Sequence, residues 1–398
     1  MESILKKELK ILILHNFSQV FNGEDAYVLD QVNLLRRYGH KVILFTKNSK
    51  DIPDDFITKF KITKGMFINE VVREELKELI LKTKPEIIHI HNIYPLITPA
   101  VYKICKLLNV PVIQHIHNYR FFCPKSILFR DGKICELCID KMLKYPSVFY
   151  GCYHSSRLGS LIFSSSFFFH KLNKSFDNID AYIFPSNFAK DYYLKNIDGI
   201  RDKAVVIPYS INKGNKVADL KTSDDYFLFV GRLSEEKGIM QLLELFVLLP
   251  TIKLIVIGDG LLKDKVDAYS KFKNICIKSF LPRREIFIYM KAALFTIIPS
   301  LWYEVLPMVM LESWASGTPV IVPRFGSFIE AVEDGKTGLF YKQYDFEDLK
   351  AKIIYAFKHK SLMRKMGLAV RREYEAKYTP ERHYQALMKV YKSLVRSH

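Results

Sequence analysis

Leu9-Lys-Ile-Leu-Ile-Leu-His15 is an almost continuous apolar run near the start of the chain. A run of this kind is typical of a strand that is covered on both faces of a parallel sheet. An amphipathic stretch from Asp25 to Tyr38 follows, and Gly39 ends it before the next apolar run, Lys41-Val-Ile-Leu-Phe-Thr46. Strand, helix and strand in this order predict an α/β domain with a doubly wound sheet.

The same alternation continues to about residue 208 and then begins again. The later predicted strands are Pro85–His91, Val110–His117, Ala181–Phe184 and Val205–Ile207 in the first half, and Tyr226–Gly231, Lys253–Gly258, Ala293–Ile298 and Pro319–Pro323 in the second. Residues 209–225 are polar and are predicted to be a linker. We therefore expect an N-terminal domain (1–208), a C-terminal domain (209–378) and a final helical segment (379–398).

Composition limits the possible functions. The chain has 398 residues, 49% of them hydrophobic, which is enough for two well-packed domains. The formal net charge is +18, and half of it lies within residues 1–210. Because the charge is spread over the chain, a nucleic-acid-binding stripe is not expected. A diffuse basic surface attracts nucleoside diphosphates and anionic lipids, although a generally lysine-rich proteome is an equal explanation of the charge.

The sequence also predicts a cytoplasmic location. No targeting signal precedes the first strand, and no apolar run reaches the roughly 18–20 residues of a membrane span. The longest candidate, Leu158–Phe169, contains four serines and is interpreted as a buried helix, with contact to lipid as the alternative. A peripheral contact with the inner, anionic face of the membrane therefore remains open.

A second informative stretch is Pro299-Ser-Leu-Trp-Tyr-Glu-Val-Leu-Pro-Met-Val-Met-Leu-Glu-Ser313. Pro307 suits the first position of a helix, so Glu304 would precede the helix and Glu312 would lie on its second turn. Free amides at a helix start carry partial positive charge. The arrangement suits a ligand with hydroxyls at both ends and phosphates between them, such as a nucleotide-sugar. An exposed glutamate beside an ordinary helix is the alternative.

Three motifs give this chain a family resemblance. The stretch around Glu304 and Glu312 resembles the E-x7-E signature of retaining glycosyltransferase family 4. Phe229-Val-Gly-Arg-Leu-Ser-Glu-Glu-Lys-Gly238 resembles the G-R-L-x-x-x-K-G segment of that family, and Gly335-Lys-Thr-Gly338 resembles its G-x-T-G turn. The resemblance implies a GT-B fold, in which two doubly wound domains face a central cleft and the final helix crosses back to the first domain.

The resemblance also implies an activity. It implies transfer of a sugar, with retention, from a nucleoside diphosphate sugar to a glycan or lipid-linked acceptor, usually in the synthesis of cell-envelope polysaccharide. No metal or other cofactor is expected to be required for catalysis. Two other interpretations remain open, namely a nucleotide-sugar 2-epimerase of the same shape and a carbohydrate-binding relative without turnover. A dinucleotide-dependent oxidoreductase is not expected, because no G-x-G-x-x-G follows the first strand.

Several residues of the second domain are predicted to hold the donor. Arg232 and Lys237 follow a predicted strand and are suited to clamping a diphosphate, although two solvated loop cations are the alternative. The resemblance places the donor sugar at Glu304 and the ribose at Glu312. The remaining predicted donor-binding positions are Gly231, Gly258, Leu306 and Pro307.

In the first domain, His117 ends a predicted strand, and the resemblance places it near the transferred sugar. For His89 and His91 we expect opposite faces of their strand, with His91 directed to the acceptor. Gly23 is predicted to allow close approach on the acceptor side, although the family usually has two glycines there.

Four of the six cysteines are candidate zinc ligands. Cys135 and Cys138 form a C-x-x-C pair, and Cys123 and Cys152 flank it. Arg130-Asp-Gly-Lys133 is a turn signal that would fold this segment back on itself. The sequence thus predicts one structural zinc, with four reduced, packed cysteines as the alternative.

Overall fold

The structure is a computed structural model that describes residues 8–52, 55–212 and 225–397. Most of the predicted linker, residues 213–224, lies outside the described residues. The strands are β1 Lys10–Phe17, β2 Lys41–Asn48, β3 Ile87–Ile90, β4 Val112–His115, β5 Phe129–Arg130, β6 Lys133–Ile134, β7 Ala181–Phe184, β8 Ala204–Val206, β9 Tyr226–Val230, β10 Lys253–Ile257, β11 Ile275–Lys278, β12 Phe295–Ile297, β13 Val320–Pro323 and β14 Gly338–Tyr341.

Helices separate most of these strands. They are α1 Gly23–Arg37, α2 Phe56–Phe67, α3 Glu70–Thr83, α4 Ala100–Leu107, α5 Pro146–Phe149, α6 Arg157–Leu172, α7 Asn187–Asn196, α8 Ile239–Val247, α9 Lys263–Asp267, α10 Arg283–Ala292, α11 Met308–Ala315, α12 Phe328–Ala331, α13 Phe346–Lys358, α14 Lys360–Lys377 and α15 Pro380–Ser397.

The described chain forms two compact units. The first contains residues 1–127, 136–207 and 383–398, and the second contains residues 128–135 and 208–382. Each unit has its own six-stranded parallel sheet, ordered β2-β1-β3-β4-β7-β8 in the first and β11-β10-β9-β12-β13-β14 in the second. Two parallel α/β sheets confirm the predicted fold class.

Each sheet has a point at which the strand order reverses. In the first unit this point lies between β1 and β3, and in the second it lies between β9 and β12. Ligands of open α/β sheets bind beyond the carboxyl ends of the strands at such a point. The relevant residues are therefore His15 and His91 in the first unit, and Gly231 and Ser300 in the second.

Local sequence explains why α1 begins and packs as it does. Asn22 accepts hydrogen bonds from the amides of Glu24 and Asp25, and the Asp25 carboxylate accepts one from the Asn22 amide. This reciprocal cap satisfies amides that the first turn would otherwise leave unpaired. The predicted apolar face of α1 is buried, and it packs in a core with β1 and with Leu387 and Tyr391 of α15.

Two short strands, β11 and β14, were not foreseen from the sequence. β11 and β14 lie at the two edges of the second sheet. β5 and β6 form an antiparallel hairpin around Asp131 and Gly132, whose φ angles are 53° and 75°. Positive φ at both central residues is typical of a tight hairpin, so the predicted turn is confirmed. None of the helices in the described parts of the chain is long and apolar enough to cross a membrane.

Candidate functional site

Glu304 of the second unit is held in place by three side chains. Its Oε1 accepts hydrogen bonds from Lys237 Nζ at 2.6 Å, Ser300 Oγ at 2.8 Å and Trp302 Nε1 at 2.9 Å. The residue is 6% exposed. No described residue donates a hydrogen bond to its second oxygen, Oε2. One oxygen is thus fixed by three donors, and the other remains available to a ligand hydroxyl.

The loop after β9 supplies the two predicted cations. Lys237 Nζ contacts Glu304 and also lies 5.2 Å from the centre of the Trp302 ring. Arg232 pairs through Nη2 with Glu236 Oε1 at 2.7 Å, and its side chain remains 50% exposed. Its outer guanidinium edge can therefore still meet an anion. The structure brings Lys237 directly to Glu304 and holds Arg232 through a different carboxylate.

Glu236 is held ionised by its neighbours. Burial raises the pKa of its carboxyl, but Arg232, the Ser234 hydroxyl and Lys237 together outweigh burial and keep the pKa below its usual value. Leu301 N donates to Glu236 O at 2.8 Å, so the same residue also fixes the loop that carries Glu304. No sequence signal singled out Glu236 as part of the site.

Two glycines allow the strand ends of this unit to meet. A Cβ on Gly258 would lie 2.0 Å from the carbonyl oxygen of Gly231, and a Cβ on Gly238 would lie 2.1 Å from that of Pro299. Gly238 also has a φ of 68°, which few other residues adopt. The close approach at Gly258 is therefore to the protein's own backbone. At Gly231 itself an added Cβ would meet only the Phe229 ring, at 3.6 Å.

The helix that follows Glu304 begins one residue later than predicted. Pro307 precedes α11 as its N-cap, and Leu306 is buried beside it. Glu312 lies on the second turn, as expected, where its Oε1 accepts from Arg283 Nε of α10 at 2.9 Å. Arg283 is thus an additional partner that the sequence did not indicate. The roles of Glu312, Leu306 and Pro307 in donor binding stay predictions.

The first unit contains a cluster of stacked imidazoles. His89 and His91 stack with ring centres 4.5 Å apart, and His115 and His117 do the same. The two pairs are joined side by side, since His91 Nδ1 lies 2.8 Å from His117 Nε2 and His89 Nε2 lies 3.3 Å from His115 Nδ1. We call these four residues the histidine cluster. Tyr27 of α1 packs edge-on against it.

The expectation that His89 and His91 would face opposite ways was wrong. Residues two apart share one face of a strand, so both rings lie on the same side. His91 is only 2% exposed and is bonded to His117. Burial lowers the pKa of all four imidazoles, with neighbouring histidines adding to the effect, and for His89 the value falls to about 3. The cluster is therefore neutral at physiological pH.

A small cavity adjoins this cluster. Its volume is about 30 Å³, and its lining includes Glu24, His91, His117, Asn118 and Arg120. That is room for one or two waters or a ligand hydroxyl. Asn118 Nδ2 donates to Glu24 Oε2 at 3.3 Å, and burial raises the pKa of the Glu24 carboxyl. Glu24 and Arg120 were missed because neither belongs to a motif. Gly23, which was predicted, is exposed at the first position of α1.

The cysteines of the first unit lie near a buried lysine. Burial raises the pKa of Cys138 to about 12, with Cys123 and Cys152 adding to the effect. Lys144 is 6% exposed, and its Nζ donates to the carbonyls of Cys138 and Ile139. Cys135 lies in residues 128–135, which belong to the second unit.

Possible metal ligands come together elsewhere in the first unit. Among the described residues, donor atoms of three or more such side chains lie within 4.8 Å of one another at His89, His91 and His115, and at no set of cysteines. The hydrogen bond between His89 and His115 accounts for their proximity. The zinc site at Cys123, Cys135, Cys138 and Cys152 stays a prediction.

Two family profiles match this chain, one in each half. Residues 21–213 match "Glycosyltransferase Family 4", and residues 211–373 match "Glycosyl transferases group 1". The chain belongs to the family 4-like glycosyltransferases. The predicted resemblance to glycosyltransferase family 4 is thereby confirmed.

Curated relatives are moderately similar to this family 4-like chain. An uncharacterized glycosyltransferase, MJ1178 of Methanocaldococcus jannaschii, is 29% identical over 54% of this chain and 60% of its own length. The sulfoquinovosyl transferase SQD2 of Arabidopsis thaliana is 22% identical over 86% of this chain and 65% of its own. The lipopolysaccharide 1,2-N-acetylglucosaminetransferase of Salmonella typhimurium is 31% identical over 41% and 49%. The chain thus spans between about half and two thirds of these relatives.

Solved structures extend the likeness to the whole fold. Sucrose-phosphate synthase from Thermosynechococcus elongatus matches with a TM-score of 0.71 at 17% identity, over 98% of this chain and 99% of that one. The crystal structure of Anabaena HepE in complex with UDP matches with a TM-score of 0.66 at 14% identity, over 97% and 100%. These neighbours confirm the GT-B fold.

Proposed function

We propose that this protein transfers a sugar from a nucleoside diphosphate sugar to a hydroxyl of a glycan or lipid-linked acceptor, with retention at the anomeric carbon. The observation that carries the proposal is the Glu304 carboxylate, which three donors fix through Oε1. A carboxylate held in this way positions ligand hydroxyls without first having to be ordered. HepE, which shares the fold, has been crystallised with UDP and with UDP-glucose, and this supports a nucleotide-sugar donor.

The phosphates of the donor are assigned to the cations after β9. Lys237 and the exposed edge of Arg232 lie on the loop at the strand-order reversal of the second sheet. Positive side chains and the amides that begin α11 stabilise the charge that develops on a departing diphosphate. No metal ion is required in this scheme, and Glu312 is assigned to the ribose.

The acceptor is assigned to the first unit. The cavity beside His117 offers the Glu24 carboxylate as a hydrogen-bond acceptor and the Arg120 guanidinium as a donor. Neutral imidazoles at its wall can hold a hydroxyl without adding charge. Synthesis of cell-envelope polysaccharide is the proposed setting, in keeping with the lipopolysaccharide transferase among the relatives.

Substitution of Glu304 tests this function. The full chain is incubated with a panel of nucleoside diphosphate sugars, and release of nucleoside diphosphate is followed with and without glycan acceptors. Glu304→Gln should lower turnover by roughly 100-fold, since the isosteric amide removes the charge that Lys237 pairs with. Glu312→Gln should mainly weaken donor binding, by roughly 1–3 kcal/mol.

Glu347→Gln is the matched control, because Glu347 is an exposed carboxylate in the first turn of α13. Wild-type kinetics in folded Glu304→Gln and Glu312→Gln would contradict the assignment of the donor site. Analysis of the products separates transfer from 2-epimerisation, because an epimerase returns an altered sugar without building a new glycosidic bond.

A further inference from the structure

Helix α6 exposes an apolar stripe along one face. Leu158, Leu161 and Leu172 are 68%, 44% and 60% exposed, and Ser165 and Phe168 fall between them at helical spacing. The opposite face is buried, and there Ser166 Oγ and His170 Nε2 contact the carbonyl oxygen of Met66. An apolar stripe on the exposed face of a helix whose opposite face is already buried indicates an interaction site.

The residues before α6 also expose apolar side chains. Tyr145 and Phe149 are 47% and 69% exposed, and their rings meet edge-on with centres 6.2 Å apart. Ser147 Oγ lies 3.1 Å from Ser164 Oγ, which ties α5 to α6. Exposed aromatic rings beside leucines are typical of surfaces at the boundary between water and lipid.

Within residues 141–174 every charged side chain is basic, and Asp140 and Asp177 flank the segment. Residues 141–174 include five lysines and arginines and no aspartate or glutamate. Lys144 is buried, whereas Lys141, Arg157, Lys171 and Lys174 are exposed. Cations that border an apolar stripe are complementary to an anionic surface, and each contributes to binding near such a surface.

We propose that the exposed side of residues 141–174 is a docking surface for an anionic lipid leaflet. The leucines of α6 and the rings of Tyr145 and Phe149 enter the boundary between headgroups and acyl chains, while Arg157 and Lys171, near the two ends of the helix, contact lipid phosphates. A second copy of the chain fits this surface less well, because it would present the same positive charges to itself.

Sedimentation of the full chain with vesicles tests the proposal. Binding to vesicles of phosphatidylcholine with about one third phosphatidylglycerol should exceed binding to pure phosphatidylcholine, and the difference should shrink as salt is raised. The double variant Arg157→Gln/Lys171→Gln should lose affinity by about fivefold for each cation removed. Leu158→Gln/Leu161→Gln should lose at least about tenfold, since exposed leucines enter the acyl boundary.

Helix α3 of the same unit provides matched controls. Val71 and Leu81 are 68% and 55% exposed there, and Lys77 and Lys82 are exposed cations. Val71→Gln/Leu81→Gln and Lys77→Gln/Lys82→Gln should bind vesicles as the wild type does. Circular dichroism confirms that each variant is folded.

Three results would overturn the proposal. The first is equal sedimentation of the wild type with neutral and anionic vesicles at low salt. The second is a loss of affinity that is the same in the α6 and α3 variants. If the α6 variants instead lower the mass measured by light scattering and leave vesicle binding unchanged, the surface belongs to a second copy of the chain.

Discussion

The two sheets of this protein carry different chemistry at the same topological position. At the reversal point of the first sheet stand buried, neutral imidazoles, with His91 bonded to His117. At that of the second stand ion pairs, Lys237 with Glu304 and Arg232 with Glu236. The shared topology explains where both groups lie, and the burial of each group explains its charge. Topology therefore locates a site, and the side chains around it determine which ligand it can take.

Acid should destabilise the first unit much more than the second, and this is the largest expected effect. The pKa values of His89, His91 and His115 are lowered in the folded state. In the unfolded chain the same side chains have a pKa of about 6.5, so below that pH the unfolded state binds more protons. The stability they contribute is complete above pH 6.5 and is lost as the pH falls below it. Between pH 7.5 and 5.5 the three residues together should cost the first unit about 4 kcal/mol.

The second unit should resist the same change. The lowered pKa of Glu236 gives stability that is lost only as the pH falls through and below its ordinary value of 4.5. The only two tryptophans, Trp302 and Trp314, lie in the second unit, so fluorescence reports on that unit, whereas circular dichroism reports on both. Denaturation by urea at pH 7.5 and 5.5 should shift the dichroism transition more than the fluorescence transition. In His89→Gln the shift of the dichroism transition should be smaller than in the wild type. Equal shifts of the dichroism and fluorescence transitions, in both the wild type and the variant, would refute the comparison.

Glycine substitutions should be the next largest effect, and they probe the second unit alone. Gly258→Ala places a methyl group 2.0 Å from the Gly231 carbonyl oxygen. Because the backbone must move to relieve this clash, we expect the free energy of unfolding to fall by about 3 kcal/mol. Gly231→Ala is the matched control, because its methyl group meets only the edge of Phe229. Thermal unfolding followed by tryptophan fluorescence measures both. If the two variants have similar stability, close contact of the strand ends is not what requires glycine.

The loss of diphosphate affinity is the smallest of the three effects, and it tests the ion pairs of the second unit directly. Arg232→Gln should weaken binding of a nucleoside diphosphate by about 1.5–3 kcal/mol and should leave binding of the free nucleoside unchanged. Titration calorimetry with both ligands measures the difference. His117→Gln serves as the contrast, because a neutral residue of the first unit should not alter diphosphate affinity. Equal losses for nucleoside and diphosphate would argue against a phosphate clamp.

Much of the fold could be predicted because it depends on local patterns. The apolar run of β1 and the amphipathic α1 follow from periodicity, and the hairpin around Asp131 and Gly132 follows from turn chemistry. The edge strands β11 and β14 were missed. That residues 128–135 belong to the second unit was not predictable, because unit membership depends on contacts far along the chain.

The sequence by itself determined the alternation of strands and helices, the motif residues at the strand ends and the excess of positive charge. Only the tertiary structure decided which partners those residues have. Lys237 meets Glu304 Oε1 from the loop after β9, and His91 meets His117 from the neighbouring strand. The physical reason is that periodicity along the chain reports which face a residue occupies. Hydrogen bonds and burial depend on strand order, which brings together residues that lie far apart in the sequence.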